Sequence, residues 1–192
     1  MNHKLKSYIL LTRLNRPIGS LLLMFPCLWG LIAACNSVLD IKQNIFLFII
    51  FIIGSFVMRS AGCVINDIFD RDIDIKVERT RFRPLANKSL PLHDAIIIFI
   101  ALSLIGLCIL LSLNFLSIKI GFISFLLLII YPLTKRVTHW PQFFLAITFN
   151  IGVLIGYSAI ANSISIEILF LYSAGIFWTL GYDTIYAHQD ID

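Results

Sequence analysis

The 192-residue sequence has few charged residues: Asp, Glu, Lys and Arg make up 14% of it, whereas 59% is apolar. An average soluble domain is about 25% charged and about 45–50% apolar. So little charge cannot cover a water-facing surface, which excludes a soluble globular enzyme, a disordered chain and a nucleic-acid-binding module. With a mean hydropathy of +0.92, the sequence predicts an integral membrane protein.

The sequence also lacks paired cysteines, clustered histidines and a cleavable leader. Arg13 and Arg16 interrupt the first apolar stretch where the core of a signal peptide would lie, so we expect no leader. His188 has no His or Cys at metal-ligand spacing, so we assign it no metal role. The cysteines form no Cys-x-x-Cys pair and are expected to be small buried residues. They are Cys27, Cys35, Cys63 and Cys108.

Six apolar runs dominate the sequence, and each is long enough, or nearly so, to cross a hydrocarbon layer of about 30 Å. They lack the alternation of barrel strands, so they predict helices and an all-α, polytopic transmembrane helix bundle. We expect one domain over residues 1–192, with an interfacial segment at residues 1–16 where apolar residues mix with Lys and Arg. The runs are Ile18–Ala34, Ile45–Val64, Ala95–Leu113, Ile118–Leu133, Phe143–Ala161 and Ile166–Leu180.

Lys and Arg are distributed unevenly between the two sides of the predicted bundle. Twelve of the fifteen fall in the N-terminal segment and in the loops after the second and fourth runs. The opposite side has only Lys42 and Lys119. Because cytoplasmic loops carry the excess of Lys and Arg, we expect the N-terminus on the cytoplasmic side.

Eight of the eleven acidic residues fall in two short stretches, within residues 67–78 and 183–192, both on the predicted cytoplasmic side. Acids at membrane depth are costly and tend to be functional. If the first stretch ends the second helix, three carboxylates, an amide and a guanidinium share one arc of about 100°, and Asp72 lies outside it. The residues on this arc are Arg59, Asn66, Asp67, Asp70 and Asp74.

Three carboxylates on one helix face would repel one another in a partly desolvated site, and a divalent cation would neutralise them. Ligands that are all oxygen favour Mg²⁺, which usually takes one or two protein carboxylates and completes its shell with water or phosphate. The bases that follow fit a phosphate, since guanidinium groups bind phosphate oxygens bidentately. These bases are Arg79, Arg81, Arg83, Lys135 and Arg136.

The second acidic stretch has helical spacing as well. Asp183 and Asp190 lie within about 20° of each other on a helix. They could therefore face the first acidic stretch across the bundle and share metal ions with it.

These motifs, in this order, resemble the UbiA superfamily of intramembrane prenyltransferases. The first family motif, NDxxDxxxD, corresponds to Asn66–Asp74 in this sequence. The segments Arg16–Gly19, Arg79–Leu85, Tyr131–Arg136 and Tyr182–Ala187 also follow the family pattern. The combination is most similar to the branch that prenylates 4-hydroxybenzoate in ubiquinone biosynthesis.

The resemblance implies nine transmembrane helices around a cavity, with two aspartate motifs facing each other. Six helices are present in this sequence, so we expect it to be incomplete at its C-terminus. The implied reaction is Mg²⁺-dependent transfer of a polyprenyl group from its diphosphate to the ring of 4-hydroxybenzoate, in a bacterial inner membrane. The implied catalytic metal ligands are Asp67, Asp70, Asp74 and Asp190. The implied substrate-binding residues are Arg59, Asn66, Arg79, Arg83, Lys135, Arg136 and Asp183.

Several alternatives stay open at this stage. Arg59 either binds the carboxylate of the aromatic substrate or pairs with an aspartate. The chain is either an active prenyltransferase, for 4-hydroxybenzoate or another aromatic acceptor, or an inactive truncated remnant of one. An ion or proton transporter is a more distant alternative, because its charges are expected near the midplane of several helices, whereas here Arg59 is the one charged residue in the interior of a run rather than at its end.

Overall fold

The structure is a computed structural model and describes residues 3–134, 138 and 140–187. These residues form nine helices, and a longer segment, residues 75–91, connects the fourth helix to the fifth. The helices are α1 (His3–Leu11), α2 (Ile18–Ala33), α3 (Val38–Gln43), α4 (Ile45–Asp74), α5 (Leu92–Leu111), α6 (Phe115–Thr134), α7 (Pro141–Asn150), α8 (Gly152–Ala161) and α9 (Ile166–Ala187).

The predicted all-α class is confirmed, and the six apolar runs lie almost wholly within helices. The count of six is too low for the described residues. α1 and α3 are additional short helices, and a turn at Ile151 divides the fifth run into α7 and α8. The second run continues as one 30-residue helix through the acidic stretch to Asp74, so the first motif lies on a helix as predicted.

The bundle has the surface of an integral membrane protein. Five helical segments, counting the α7–α8 pair as one, are long and apolar enough to cross a bilayer, and α2 is a shorter apolar helix. Large apolar side chains such as Phe170, Phe177 and Ile185 are about 70% exposed on α9. Such side chains suit contact with hydrocarbon, where no water has to be ordered around them.

Small residues allow α2 and α8 to pack closely. A Cβ atom added at Gly30 would collide with the carbonyl oxygen of Val153, and one at Gly156 with the carbonyl oxygen of Cys27. In lipid, helix association depends on such close backbone approach because burial of apolar surface gives little driving force. The α2–α8 pair therefore forms one wall of the bundle.

Neutral polar groups connect other helices. Near the start of α6, the Asn114 amide donates to the Ser158 carbonyl oxygen at 2.5 Å, and the Ser117 and Ser158 hydroxyls are 2.7 Å apart. The buried Asn150 amide donates to the Thr179 hydroxyl at 2.8 Å and so links α7 to α9. These contacts satisfy polar groups that hydrocarbon could not hydrogen-bond.

Candidate functional site

A cavity of about 770 Å³ lies between α2, α4, α5, α6 and the α7–α8 pair. Its lining is mostly apolar and extends to Phe51, Leu113 and Ile155. Charged and strongly polar groups enter it around the C-terminal part of α4. These groups are Arg13, Arg59, Asn66, Asp67, Arg83 and Tyr131. The cavity therefore combines a long apolar part with a compact polar end.

The acidic face of α4 is turned into the protein. Asp67, Asp70 and Asp74 are only 2%, 9% and 6% exposed. The Asp72 side chain is 84% exposed and pairs with Arg71 at 3.0 Å. This is the division that the helical spacing predicts, with three carboxylates on one face and Asp72 outside it.

Two guanidinium groups pair with two of the buried carboxylates, Asp67 and Asp74. Arg13 donates from Nη2 to both carboxylate oxygens of Asp67 at 3.0 Å. Arg83 donates from Nη1 to Asp67 Oδ1 at 3.1 Å and to Asp74 Oδ2 at 2.7 Å. Because desolvated carboxylates without partners are strongly unfavourable, these pairs allow the acids to be buried.

The segment after α4 places Arg83 over the acidic face. The buried Thr80 hydroxyl donates to the Asp74 carbonyl oxygen at 3.0 Å, which turns the chain back at the end of the helix. Leu85 and Leu90 then pack with Leu11 in a buried apolar cluster. Arg83 lies between these two anchors, so its guanidinium is directed to Asp67 and Asp74.

Arg59 lies about two turns before Asp67 and about four turns before Asp74 on α4. Its guanidinium packs on Gly19, where an added Cβ would lie 2.5 Å from Arg59 Nε, and over the Phe149 ring at 5.5 Å from the centroid. Arg59 Nε is buried and has no hydrogen-bond partner in the described part of the chain. A buried donor without a partner is costly, so this N–H is a candidate for binding a ligand in the cavity.

Tyr131 connects the two acidic stretches. Its phenol lines the cavity and interacts electrostatically with Asp70 on α4 and with Asp183 on α9. Asp183 and Asp70 are therefore both within electrostatic range of the Tyr131 phenol. Arg79 is exposed on the segment after α4. The predicted residues Lys135, Arg136 and Asp190 lie outside the described residues.

The oxygen donors on α4 fit a hard divalent cation by their chemistry, since amide and carboxylate oxygens are ligands of Mg²⁺. Among the residues that the structure describes, no three His, Cys, Asp or Glu side chains form a metal-holding group. The oxygens of Asp67 and one of Asp74 accept instead from Arg13 and Arg83. A cation at Asp67 would have to compete with these guanidinium groups.

Sequence reasoning assigned Arg13 to the positively charged N-terminal segment and missed its contact with Asp67. It also missed Phe149, which stacks on Arg59 from α7. Both contacts join residues far apart in the sequence, and neither produces a local pattern. The position of Arg13 just before the family segment Arg16–Gly19 was the one feature of the sequence that could have suggested a role for it in the site.

A sequence profile described as the UbiA prenyltransferase family matches residues 23–192. The chain belongs to this family. Its similarity extends to curated proteins named 4-hydroxybenzoate octaprenyltransferase in Shewanella oneidensis, 44% identical over 192 residues, and 4-hydroxybenzoate polyprenyltransferase, mitochondrial, in Caenorhabditis elegans, 48% identical over 187 residues. The chain spans 66% of the first relative and 52% of the second.

Solved structures support the same fold. The apo structure of a UbiA homolog from Aeropyrum pernix matches with a TM-score of 0.72 and 27% identity, over 89% of this chain and 64% of that one. A structure described as digeranylgeranylglyceryl phosphate synthase matches with a TM-score of 0.75 and 23% identity, over the whole chain and 64% of that one. The predicted family and fold class are therefore confirmed.

Proposed function

We propose that the protein transfers a polyprenyl group from polyprenyl diphosphate to the ring of 4-hydroxybenzoate, as a step of ubiquinone biosynthesis. The observation that carries this proposal is the two-part cavity, which offers apolar walls to a lipid chain and clustered acids and guanidinium groups to its diphosphate. The names of the Shewanella and Caenorhabditis relatives support the choice of 4-hydroxybenzoate as acceptor.

The diphosphate end of the proposed site contains the acidic face of α4. Asp67, Asp70 and Asp74 would hold Mg²⁺, with Asp190 contributing from the second acidic stretch, and Asn66 would orient a carboxylate or a phosphate. When bound, Mg²⁺ supplies Lewis-acid stabilisation of the leaving diphosphate. The remaining phosphate charge would be bound by the basic residues. These are Arg79, Arg83, Lys135 and Arg136.

The acceptor end contains Arg59. Its buried Nε–H is directed at no other group among the described residues and suits the carboxylate of an aromatic acid. Asp183, within electrostatic range of Tyr131, would also contact a substrate. The C–O bond of the allylic diphosphate breaks with its electron pair on the diphosphate. A C–C bond then forms at the ring carbon ortho to the hydroxyl, and that carbon gives up its proton to the released diphosphate.

The apolar part of the cavity has two roles in this proposal. It holds the prenyl chain, and it keeps water from the allylic cation, which water would quench. The bundle would be oriented in a bacterial inner membrane with its N-terminus and acidic stretches on the cytoplasmic side, as the distribution of Lys and Arg predicts.

A membrane-fraction assay tests the proposal with Mg²⁺, labelled 4-hydroxybenzoate and a set of prenyl diphosphates. The chain is compared with a version extended at its C-terminus by the corresponding segment of the Shewanella oneidensis relative, and that relative is the positive control. We expect a prenylated acid to form, and we expect EDTA to abolish its formation. If product formed with a different aromatic acid and not with 4-hydroxybenzoate, the proposed acceptor would be wrong. If neither version of the chain gave product while the Shewanella oneidensis relative did, the chain would be an inactive remnant.

A further inference from the structure

The contact between Arg13 and Asp67 depends on an unusual turn between α1 and α2. Arg13 has a φ of 58°, in the left-handed region that side chains other than Gly seldom adopt. Its Nη1 donates to the Leu10 carbonyl oxygen at 2.8 Å, and its Nη2 donates to both oxygens of Asp67. The turn and the backbone hydrogen bond together aim this guanidinium at the acidic face.

The N-terminal helix does not need Arg13 to stay in place. Leu11 is fully buried with Val64 and Ala95. The Tyr8 hydroxyl donates to Asp94 at 3.0 Å, and Lys4 pairs with the same carboxylate at 3.1 Å. The hydrogen bond that Lys4 donates to Asp94 also raises the pKa of Lys4. Because α1 is docked through these contacts, the Arg13–Asp67 pair is available for another role.

In this arrangement Asp67 already accepts from two guanidinium groups, which a divalent cation at this carboxylate would repel and displace. Both its oxygens accept from Arg13, Oδ1 also accepts from Arg83, and the residue is only 2% exposed. Breaking a buried ion pair leaves an uncompensated charge, which is strongly unfavourable. The guanidinium that a cation releases therefore requires a new anion nearby.

We propose that Arg13 is a positioning residue that exchanges anions: it pairs with Asp67 in the protein alone and with the diphosphate once a divalent cation has taken the Asp67 carboxylate. This inference rests on the proposed function and adds a residue to it. The exchange makes the cation alone bind weakly and makes cation and diphosphate bind together. The coupling is reciprocal, as linkage requires.

The test titrates the detergent-solubilised chain with Mn²⁺ alone. The electron paramagnetic resonance signal of free Mn²⁺ measures how much of the ion is bound. Arg13→Gln removes the competing cation, so we expect its Kd for Mn²⁺ to fall about fivefold or more. In equilibrium dialysis at saturating Mn²⁺, the same variant should bind labelled inorganic diphosphate at least about fivefold more weakly. A merely structural role would not shift the two affinities in opposite directions.

Four further variants keep the result interpretable. Arg16→Gln, at an exposed position of the same turn, should change neither affinity. Arg13→Lys keeps the charge and should restore part of the diphosphate binding. Tyr8→Phe loosens α1 without changing Asp67, and if it reproduced both shifts the exchange proposal would be overturned. Asp67→Asn should lose Mn²⁺ affinity.

The outcomes separate this proposal from the function on which it rests. Unchanged Mn²⁺ affinity in Arg13→Gln, together with a loss in Asp67→Asn, overturns the exchange and leaves the proposed metal role intact. Unchanged Mn²⁺ affinity in Asp67→Asn overturns the metal role and the exchange with it.

Discussion

At the C-terminal end of α4 the helices and turns meet through charged groups, whereas at the start of α6 they meet through neutral ones. The first region contains Asp67 and Asp74 paired with Arg83 at 3.1 and 2.7 Å. The second contains the Ser117 and Ser158 hydroxyls, 2.7 Å apart and both fully buried. Both regions are polar and enclosed by the same bundle, yet the contacts described for the second join neutral amide, hydroxyl and carbonyl groups.

The difference indicates what each region is for. A hydrogen bond between neutral side chains in a membrane protein contributes about 0.6 kcal/mol on average, which suffices to fix the register of two helices. Buried ion pairs add little net stability, because desolvation offsets their attraction. The charges at the end of α4 are therefore better explained by the ligand that we propose for them than by helix association.

The largest expected effect comes from removing one carboxylate at the charged region. Asp67→Asn keeps the shape of the side chain but removes the charge that would face a metal ion, so prenyl transfer should fall by about 100-fold or more. The measurement is the initial rate in membranes with saturating Mg²⁺ and both substrates. Asp72→Asn is the matched control, since this exposed carboxylate lies on the same helix and pairs with Arg71. A rate near that of the unmodified protein in Asp67→Asn would refute the metal assignment.

A smaller effect is expected when the charge is kept and its geometry is changed. Arg83→Lys retains a cation but loses the planar guanidinium, whose Nη1 contacts two acids and which, in our proposal, binds a phosphate. The KM for prenyl diphosphate should rise about tenfold, which corresponds to about 1.4 kcal/mol. The control is Arg81→Lys, because Arg81 is exposed and pairs only loosely with Glu78, at 3.5 Å. Equal KM values in the two variants would contradict the proposed role of Arg83.

Features that depend on neighbouring residues could be predicted from the sequence, whereas contacts between distant residues could not. Composition and the 3.6-residue period predicted the all-α class, the membrane segments and the acidic face of α4, because each depends on neighbours within a turn or two. The turn at Ile151 was missed because hydropathy stays high across it. The pairing of Arg13 with Asp67 spans 54 residues, and no local period records such a contact.

The smallest effect is expected at the neutral region. Ser158→Ala removes the hydroxyl partner of Ser117 and should lower the free energy of unfolding by about 0.6 kcal/mol, with prenyl transfer unchanged. Thermal unfolding in detergent and the membrane assay measure the two quantities. Ser112→Ala is the matched control, because that exposed hydroxyl donates to the Ile109 carbonyl oxygen at the end of the same helix. Suppose that Ser158→Ala instead reduced prenyl transfer as strongly as Asp67→Asn while the free energy of unfolding stayed the same. A neutral helix contact would then act on the chemistry directly, and the division between a ligand-binding region and a packing region would be wrong.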